Sequence, residues 1–371
     1  MYADDLLTPL FEQTRGQLPA ATLFDAHTHI GVNDPDGFTC TAAELTAVLA
    51  PAGSRAVVFP MHEPDGYPPA NDDVIAAALD SADVLVPFCR VDPRHDPAAE
   101  IRRCLVLGAR GIKLHPRAEQ FEMLDPGVRE IVEVADELRL PILIHAGRGI
   151  PALGAHVLEY ATQFPGARFI LAHAGVCDLA WIWRDVVAHP NVFFDTAWWS
   201  VADQLALFSL VPPGQILYAT DIPFGTPRQT VIGTFRSALQ AGLSAEQLAS
   251  VAGGQLARIV AGEDTLDLGP AAAPGGTRRD PVLARAESFL VAAFGTALAG
   301  GSSDEFIDLA RLACIVADDA PQAAHCAAIV ALLELALAQP VGETIPERVA
   351  HIQLLVVASV IAATPDVPVT A

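Results

Sequence analysis

Histidine and aspartate residues recur at the ends of short apolar runs in the sequence. The run TLFDAHTHI contains His27 and His29, and later runs end at His145, His173 and Asp221. Because side chains two positions apart on a strand point to the same face, His27 and His29 are expected to direct two imidazoles at one point. Neutral imidazoles and a carboxylate suit zinc, and also manganese or iron. We therefore predict a divalent-metal site, with zinc as the expected ion and manganese or iron as alternatives.

The chemistry predicted for this site is metal-assisted hydrolysis. A catalytic metal keeps one coordination position open for water, whereas a structural zinc is usually closed by four protein ligands. The ion lowers the pKa of the bound water from ~15.7 to about 7, which yields hydroxide at neutral pH. In this interpretation Asp221 is a catalytic residue, since its carboxylate takes the proton from that water and later delivers it to the leaving group.

These residues need elements that bring them together, and the sequence contains a repeating pattern of strands and helices. Runs without apolar/polar alternation indicate strands that are buried on both faces, as in a parallel sheet. The stretches Pro97–Leu107 and Pro126–Leu138 have the apolar spacing of helices. The predicted fold class is therefore α/β, a (β/α)8 TIM-like barrel with its active site at the carboxyl ends of the strands. The eight runs are TLFDAHTHI, RAVVFPMH, VLVPFCRV, GIKLHP, PILIHAG, RFILAHAG, VFFDTA and ILYATDIPF.

The composition changes after the eighth run, which predicts a second domain. Pro227–Gln240 is predicted to be the last barrel helix, and Ser244–Ala261 another helix packed below it. Residues 263–280 are rich in Gly, Pro and Ala and are predicted to be a linker. They separate a metal-dependent barrel domain, residues 1–262, from an all-α C-terminal domain, residues 281–371.

The C-terminal domain is expected to contain four helices, with breaks near Gly300, Pro321 and Pro340. Its alanine- and leucine-rich segments contain no cluster of residues suited to metal binding or catalysis. We therefore expect these helices to serve association, giving a homo-oligomer or a docking site for a partner.

Composition limits the other partners. The formal net charge of −22 argues against nucleic acid, since phosphate binding needs a positive surface. No apolar run approaches the ~18 residues of a membrane span, so no membrane partner is expected. The N-terminal segment lacks the pattern of a secretory signal, and the six cysteines are scattered, so the expected compartment is the cytoplasm. The expected partner is a small-molecule substrate.

The motifs DAHTHIG, GIKLHP, ILIHAGRG, ILAHAG and ATDIPFG together resemble the amidohydrolase superfamily, in particular its amidohydrolase-related branch of metal-dependent hydrolases and decarboxylases. The resemblance covers about residues 22–262, and Gln255 stands where the family usually has Asn. It implies that His27, His29 and Asp221 bind the more buried metal.

The resemblance leaves the number of metals open. His145 is implied as a ligand, in mononuclear members on the same metal as His27, and His173 as either a ligand of a second metal or a base that activates water. Lys113 is the only lysine in the chain. In binuclear members a lysine on the fourth strand reacts with CO₂ to give a carbamate that bridges two metals, which arginine cannot do. The alternative is a structural or substrate-binding lysine, so one or two ions per chain are expected.

Four further residues at the strand ends are predicted to contact the substrate. His115 lies two residues after Lys113 and should share its face, and His62 follows the second run. Arg90 and Arg148 could each bind a substrate carboxylate through two hydrogen bonds. Asp195 is expected to orient a histidine ligand.

Two activities and one inactive role are compatible with these residues. The first is hydrolysis of an ester, lactone or amide bond in a small carboxylated molecule. The second is non-oxidative decarboxylation or hydration with one metal and His173 as the acid/base. The third is a binding or assembly protein that has kept the barrel but lost its catalytic activity. The intact set of metal-ligand residues argues against this role.

Overall fold

The computed structural model describes residues 2–147, 149–176 and 178–369. Within these residues the parallel strands form one three-stranded and one six-stranded sheet, with strands neighbouring each other in chain order. The strands are β1 Leu23–Ile30, β2 Ser54–Pro60, β3 Leu85–Pro87, β4 Cys89–Arg90, β5 Ile112–Leu114, β6 Pro141–Ile144, β7 Arg168–Leu171, β8 Val192–Asp195 and β9 Ile216–Leu217.

The two sheets close into the predicted eight-membered barrel. The third sequence run supplies both β3 and β4, which are separated by Phe88; the Phe88 N–H donates to the Val58 carbonyl at 2.9 Å and so continues the pairing with β2. At the other seam, the segment after β9 pairs with β1. The Ala26 N–H donates to the Tyr218 carbonyl at 2.9 Å, and the His29 N–H to the Ile222 carbonyl at 2.8 Å. The predicted fold class is confirmed.

The helices of the barrel follow the strands. Three of them, α4, α6 and α10, have the bounds that the sequence predicts, and each starts with a proline in its first turn, where a missing N–H costs nothing. The helices are α1 Asp4–Arg15, α2 Ala42–Leu49, α3 Pro68–Asp80, α4 Pro97–Leu107, α5 Pro116–Glu119, α6 Pro126–Leu138, α7 Leu153–Gln163, α8 Leu179–Ile182, α9 Val201–Leu210, α10 Pro227–Gln240, α11 Ala245–Ala249 and α12 Gln255–Val260.

The segment predicted as one helix over Ser244–Ala261 consists of α11, a π-helical turn at Ser250–Gly254 and α12. Ser244 begins it with a capping box, in which its side chain accepts from the Gln247 N–H and the Gln247 side chain accepts from the Ser244 N–H. Helix α1 is absent from the sequence prediction. It packs along α10 on the outside of the barrel.

Four helices follow the linker region, with breaks where they are predicted: α13 Pro281–Leu298, α14 Asp304–Ala313, α15 Ala323–Leu337 and α16 Ile345–Ala363. Helix α16 packs against α13, α15 and the barrel helix α10. One continuous cluster of buried apolar side chains includes residues of both α10 and α16. The division of the chain into two domains therefore stays a prediction.

Two helices do reach the length and apolar composition of a membrane span, contrary to the sequence expectation: α13 and α16. The most apolar window of α16 is 83% buried inside the protein, and that of α13 is 33% buried. A core helix of a soluble protein meets the same criterion, so the finding is weak evidence for a membrane segment.

Candidate metal centre

His27, His29 and Asp221 bring three ligand atoms to one point at the carboxyl end of the barrel. The two histidine Nε2 atoms are 3.2 Å apart, and each lies 3.1 Å from the same Asp221 Oδ1. We call this group the ligand triangle. Among the described residues it is the set of histidine, cysteine and carboxylate groups close enough to hold one ion together.

Backbone pairing holds Asp221 in the triangle. Its N–H donates to the His27 carbonyl at 2.8 Å, and its own carbonyl accepts from the Phe224 N–H at 2.7 Å. The Asp221 φ of 60° lies in the left-handed region, which a non-glycine residue adopts only where its surroundings enforce it. The chain therefore turns sharply at the carboxylate, directly after the last strand.

Asp195, at the end of β8, fixes the orientation of His27, as the sequence analysis predicts. The His27 Nδ1–H donates to Asp195 Oδ2 at 2.8 Å, which leaves the Nε2 lone pair facing the triangle. The other oxygen, Asp195 Oδ1, accepts from the His173 N–H at 2.9 Å and the Ala197 N–H at 3.0 Å. The buried Asp195 carboxylate thus connects β1 with the segments that follow β7 and β8.

His145 and His173 form a second group beside the triangle. His173 Nδ1–H donates to the Ala197 carbonyl at 2.8 Å, so the neutral ring presents a lone pair on Nε2. That Nε2 lies 2.9 Å from His145 Nδ1. His145 also stacks on His115, with ring centroids 3.8 Å apart and an angle of 11° between the rings. The structure thus places His145 with His173 and outside the triangle.

Lys113 lies on β5, fully buried, with its Nζ 3.2 Å from His27 Nε2. The Nζ is also 4.6 Å from the centroid of the Phe59 ring. Burial lowers the pKa of the Lys113 amine to about 7, although the nearby Asp221 carboxylate acts in the opposite direction. Burial therefore favours the neutral form of the Lys113 amine.

Burial sets the charge of the other groups as well. It lowers the pKa of His27, His29 and His145 well below the usual histidine value, with further lowering by neighbouring cationic groups such as Lys113. Burial also raises the pKa of Asp221 well above its usual value, and Lys113 partly opposes this shift. The imidazoles are thus neutral and carry free lone pairs.

The ligand triangle fits a divalent metal. Two neutral imidazole nitrogens and a carboxylate oxygen are the donor set that zinc and related ions prefer. In a tetrahedral site with metal–ligand distances of ~2.0–2.1 Å, neighbouring ligand atoms lie roughly 3.3 Å apart. The observed edges of 3.1–3.2 Å match that spacing. A cation would also favour the ionised form of Asp221, which burial alone disfavours.

A cavity of about 480 Å³ opens onto the triangle. Three of the four predicted substrate-contact residues line it: His62, His115 and Arg90. Arg148 lies outside the described residues. Arg90 is fully buried and its guanidinium donates to Glu119 Oε1 at 2.6 Å, so its charge is already neutralised by an ion pair.

Arg117 also lines the cavity and is missing from the sequence prediction. Within the described part of the chain its exposed guanidinium makes no ion pair or side-chain hydrogen bond, which leaves it available to an anionic ligand. The signal for Arg117 is its place in GIKLHPR, in the first turn after a barrel strand. Asp34, Met61 and Phe224 complete the wall and were likewise not predicted.

His115 is held in a single tautomer by the backbone. It is the N-cap of α5, and its Nδ1 accepts from the Ala118 N–H at 3.1 Å. Burial, followed by the neighbouring His145, lowers the pKa of His115 well below its usual value. The neutral ring therefore carries its proton on Nε2, and the residue acts as a hydrogen-bond donor.

Comparison with known proteins assigns the family. The amidohydrolase family model matches residues 24–254, and the chain belongs to that family. No curated protein matches the sequence.

Solved structures share the fold at low sequence identity. The 5-carboxyvanillate decarboxylase of Sphingomonas paucimobilis has a TM-score of 0.53 at 15% identity, covering 65% of this chain and 99% of that one. The 2,6-dihydroxybenzoate decarboxylase of Rhizobium has a TM-score of 0.52 at 14% identity, with 65% and 99% coverage. An uncharacterised TIM-barrel protein of Bordetella bronchiseptica has a TM-score of 0.54 at 16% identity, with 65% and 99% coverage. The family match ends at residue 254, before the C-terminal helices begin.

Proposed function

We propose that the protein is a metal-dependent hydrolase that cleaves an ester, lactone or amide bond in a small carboxylated molecule. The observation that carries this proposal is the presence of two adjoining groups of ligand atoms, the ligand triangle and the His145–His173 pair. Lys113 contacts the first group through His27, and its strand β5 is hydrogen-bonded to β6, which precedes His145.

Lys113 is the residue that could join the two groups. Its neutral amine can add to CO₂, forming an N–C bond and releasing one proton, so that the side chain ends in a carbamate with two oxygen donors. The carbamate would supply Lys113 with the oxygen donors needed to join the triangle and the pair around bound metal. Arginine, which the chain uses at its other basic positions, cannot form this group.

The chain's own residues then have separate roles. A bound divalent ion supplies Lewis acidity and a water of lowered pKa. Asp221 accepts the proton of the attacking water and returns it to the leaving group, since its Oδ2 does not belong to the ligand triangle. Arg117 binds the substrate carboxylate from the cavity wall, and His115 donates its Nε2–H to a substrate oxygen.

The metal content of the chain tests this proposal. Protein purified without chelators or added metal should contain about two equivalents of divalent metal per chain by plasma mass spectrometry. The variant Lys113→Arg keeps a basic side chain of similar length but cannot form the carbamate, and should contain about one equivalent. A wild-type content of one equivalent would contradict the two-metal form. No metal, even after zinc, manganese and iron are offered, would contradict metal-dependent chemistry altogether.

A second candidate is non-oxidative decarboxylation or hydration with a single metal. It is favoured by the ligand triangle, which by itself offers three ligands to one ion and leaves His173 free as the acid/base. Two of the solved structures with the same fold are decarboxylases. Release of labelled CO₂ from carboxyl-labelled aromatic acids, lost in His173→Asn, would support this activity over hydrolysis.

A further inference from the structure

The N-terminal segment and the helix α16 both contact the loop that carries Asp221, although both lie outside the segment that matches the family. We call residues 221–226 the Asp221 loop. From the N-terminus, the Tyr2 hydroxyl donates to the Pro223 carbonyl at 2.7 Å. Asp4 Oδ1 accepts from the Thr226 hydroxyl at 2.5 Å.

From the C-terminal helices, Gln353 reaches the same loop. Its side-chain Oε1 accepts from the Ala3 N–H at 2.8 Å, and its Nε2 donates to Thr226 Oγ1 at 3.3 Å. Gln353 is 2% exposed and lies in the helix α16, where most neighbours are buried apolar residues. Burying an amide in such a place is unfavourable unless its hydrogen bonds are made. An apolar side chain would pack at least as well at position 353, so packing alone does not account for the glutamine.

The Thr226 hydroxyl makes these contacts instead of the usual N-cap hydrogen bond. Thr226 is the N-cap of α10, a position where threonine usually accepts a hydrogen bond from the first turn of the helix. Within the described residues its hydroxyl makes no such cap and is engaged by Asp4 and Gln353 instead. The side-chain hydrogen bonds of Thr226 and Gln353 are thus not required for the stability of α10 or α16.

The Asp221 loop is compact enough to transmit a displacement of Thr226 to Asp221. The Phe224 and Gly225 N–H groups both donate to the Asp221 carbonyl, at 2.7 Å and 3.3 Å. A Cβ on Gly225 would lie 2.4 Å from the Thr220 carbonyl oxygen, so the backbone packs there without free space. The carboxylate of the ligand triangle is therefore carried by a short loop that is hydrogen-bonded at both ends.

We propose that Gln353 is a positioning residue for the metal centre: it joins the N-terminus to Thr226 and so holds Asp221 in the ligand triangle. The C-terminal helices thereby set the geometry of a site to which they contribute no ligand. This inference rests on the proposed role of Asp221 as a metal ligand.

The test compares two substitutions on the same helix. Gln353→Leu removes both hydrogen bonds at similar volume. His351→Leu is the control. His351 is also 2% exposed, and its hydrogen bonds to described residues stay within the helical region, with Ser303 Oγ at 2.8 Å and the Ala336 carbonyl at 2.9 Å. The dissociation constant for Zn²⁺ is measured by competition with a chromophoric chelator, together with the Tm of each metal-free variant.

Gln353→Leu should weaken zinc binding by roughly 10-fold, the typical effect of losing a group that orients a ligand. His351→Leu should lower Tm while leaving zinc affinity within about twofold of wild type, since its partners do not touch the loop. Equal zinc affinity of Gln353→Leu and wild type would overturn the positioning role alone. A wild-type protein that binds none of zinc, manganese and iron would overturn the proposed function, and this inference with it.

A second pair of variants tests the same proposal if Gln353→Leu does not fold. Thr226→Val removes the hydroxyl that Asp4 and Gln353 share and keeps the side-chain shape, whereas Thr226→Ser keeps the hydroxyl. Zinc affinity should fall in Thr226→Val and be retained in Thr226→Ser. Retention in both variants would overturn the proposal.

Discussion

A histidine whose Nδ1 accepts a backbone hydrogen bond can present only an N–H at its other nitrogen while it stays neutral. His115 is in this position as the N-cap of α5, and the cap therefore decides what the residue can do in the cavity. It can donate to a substrate oxygen, whereas ligating a metal through Nε2 would require the other tautomer and the loss of the cap. The turn that forms this cap is not predicted from the sequence.

The substitution His115→Asn separates these two functions. Asparagine is a good N-cap, so the free energy of unfolding should stay within about 0.5 kcal/mol of wild type. The distal donor is lost, and kcat/KM should fall about tenfold, the effect of one hydrogen bond of ~1–1.5 kcal/mol. Chemical denaturation and steady-state kinetics measure the two quantities. Unchanged kcat/KM would remove His115 from substrate binding.

Asp221→Asn tests the proton-transfer role. The amide has the size of the carboxylate and can keep a hydrogen bond, so the circular dichroism spectrum and Tm should remain close to those of wild type. It cannot accept a proton at neutral pH, and turnover should fall by roughly 100-fold or more. Substantial residual kcat would remove Asp221 from the mechanism.

The sequence predicts the members of the ligand triangle because a strand alternates its side chains and a parallel barrel brings its strand ends together. It does not predict which groups pair with each other around the cavity. Arg90 is paired with Glu119, while Arg117 has no ion-pair partner among the described residues. Both outcomes depend on how the short helix α5 folds back after β5. Such loop geometry follows from contacts distant in sequence.

At the scale of single elements, the first residue of a helix is the feature that the sequence predicts best. Helices α4, α6 and α10 begin as predicted because each has a proline in its first turn, where the fixed φ of proline suits the helix and its missing N–H costs nothing. Helix α1 was not predicted, since Pro9 interrupts its apolar pattern. The split of the third strand at Phe88 is also not predicted, because the run VLVPFCRV is interpreted as one buried strand.

Asp280 provides a test at this scale, since it caps α13. Its Oδ1 accepts from the Val282 N–H at 2.9 Å and the Leu283 N–H at 3.1 Å, and its Oδ2 accepts from the Gln322 side chain at 2.7 Å. Burial would raise the pKa of Asp280, but these hydrogen bonds outweigh it and hold the pKa below the usual value of 3.8. Asp280→Ala should cost about 1 kcal/mol of unfolding free energy at pH 7.

The pH dependence of this effect has a definite sign. Because the pKa of Asp280 is lowered by folding, its stabilisation is fully present above pH 3.8 and is lost as the pH falls through the lowered value. The difference in unfolding free energy between wild type and Asp280→Ala should therefore shrink below that pH. Urea denaturation across the acid range measures it, and a difference that grows on acidification would contradict the assignment.

At the scale of the whole molecule, the barrel and the C-terminal helices share contacts that neither would have alone. Arg236 of α10 is 1% exposed, and its guanidinium donates to the Thr364 hydroxyl at 3.1 Å and the Val367 carbonyl at 2.9 Å. Composition predicts a linker, and it predicts the four C-terminal helices that the structure contains. It does not identify this interface, because the residues that form it are too far apart in sequence for any periodicity to connect them.

The shared core predicts how the chain unfolds. Calorimetry of the full-length protein should give a single transition whose calorimetric and van't Hoff enthalpies agree, since separating α16 from α10 would expose apolar surface on both. A chain ending at residue 264 should consequently be less stable than the barrel within the full protein. Two resolved transitions would instead support the division into a barrel domain and an independent helical domain.

Lys113 has one further consequence, which arises from its being the only lysine among 371 residues. Protein grown with lysine isotopically labelled in the side chain will give a magnetic resonance spectrum with a single side-chain signal, which needs no assignment. Its chemical shift reports whether the amine is protonated, neutral or carbamylated. Bulky amine-directed reagents, by contrast, should leave Lys113 unmodified, because its side chain is fully buried. The protein therefore contains its own single-site spectroscopic reporter, at the centre of the barrel.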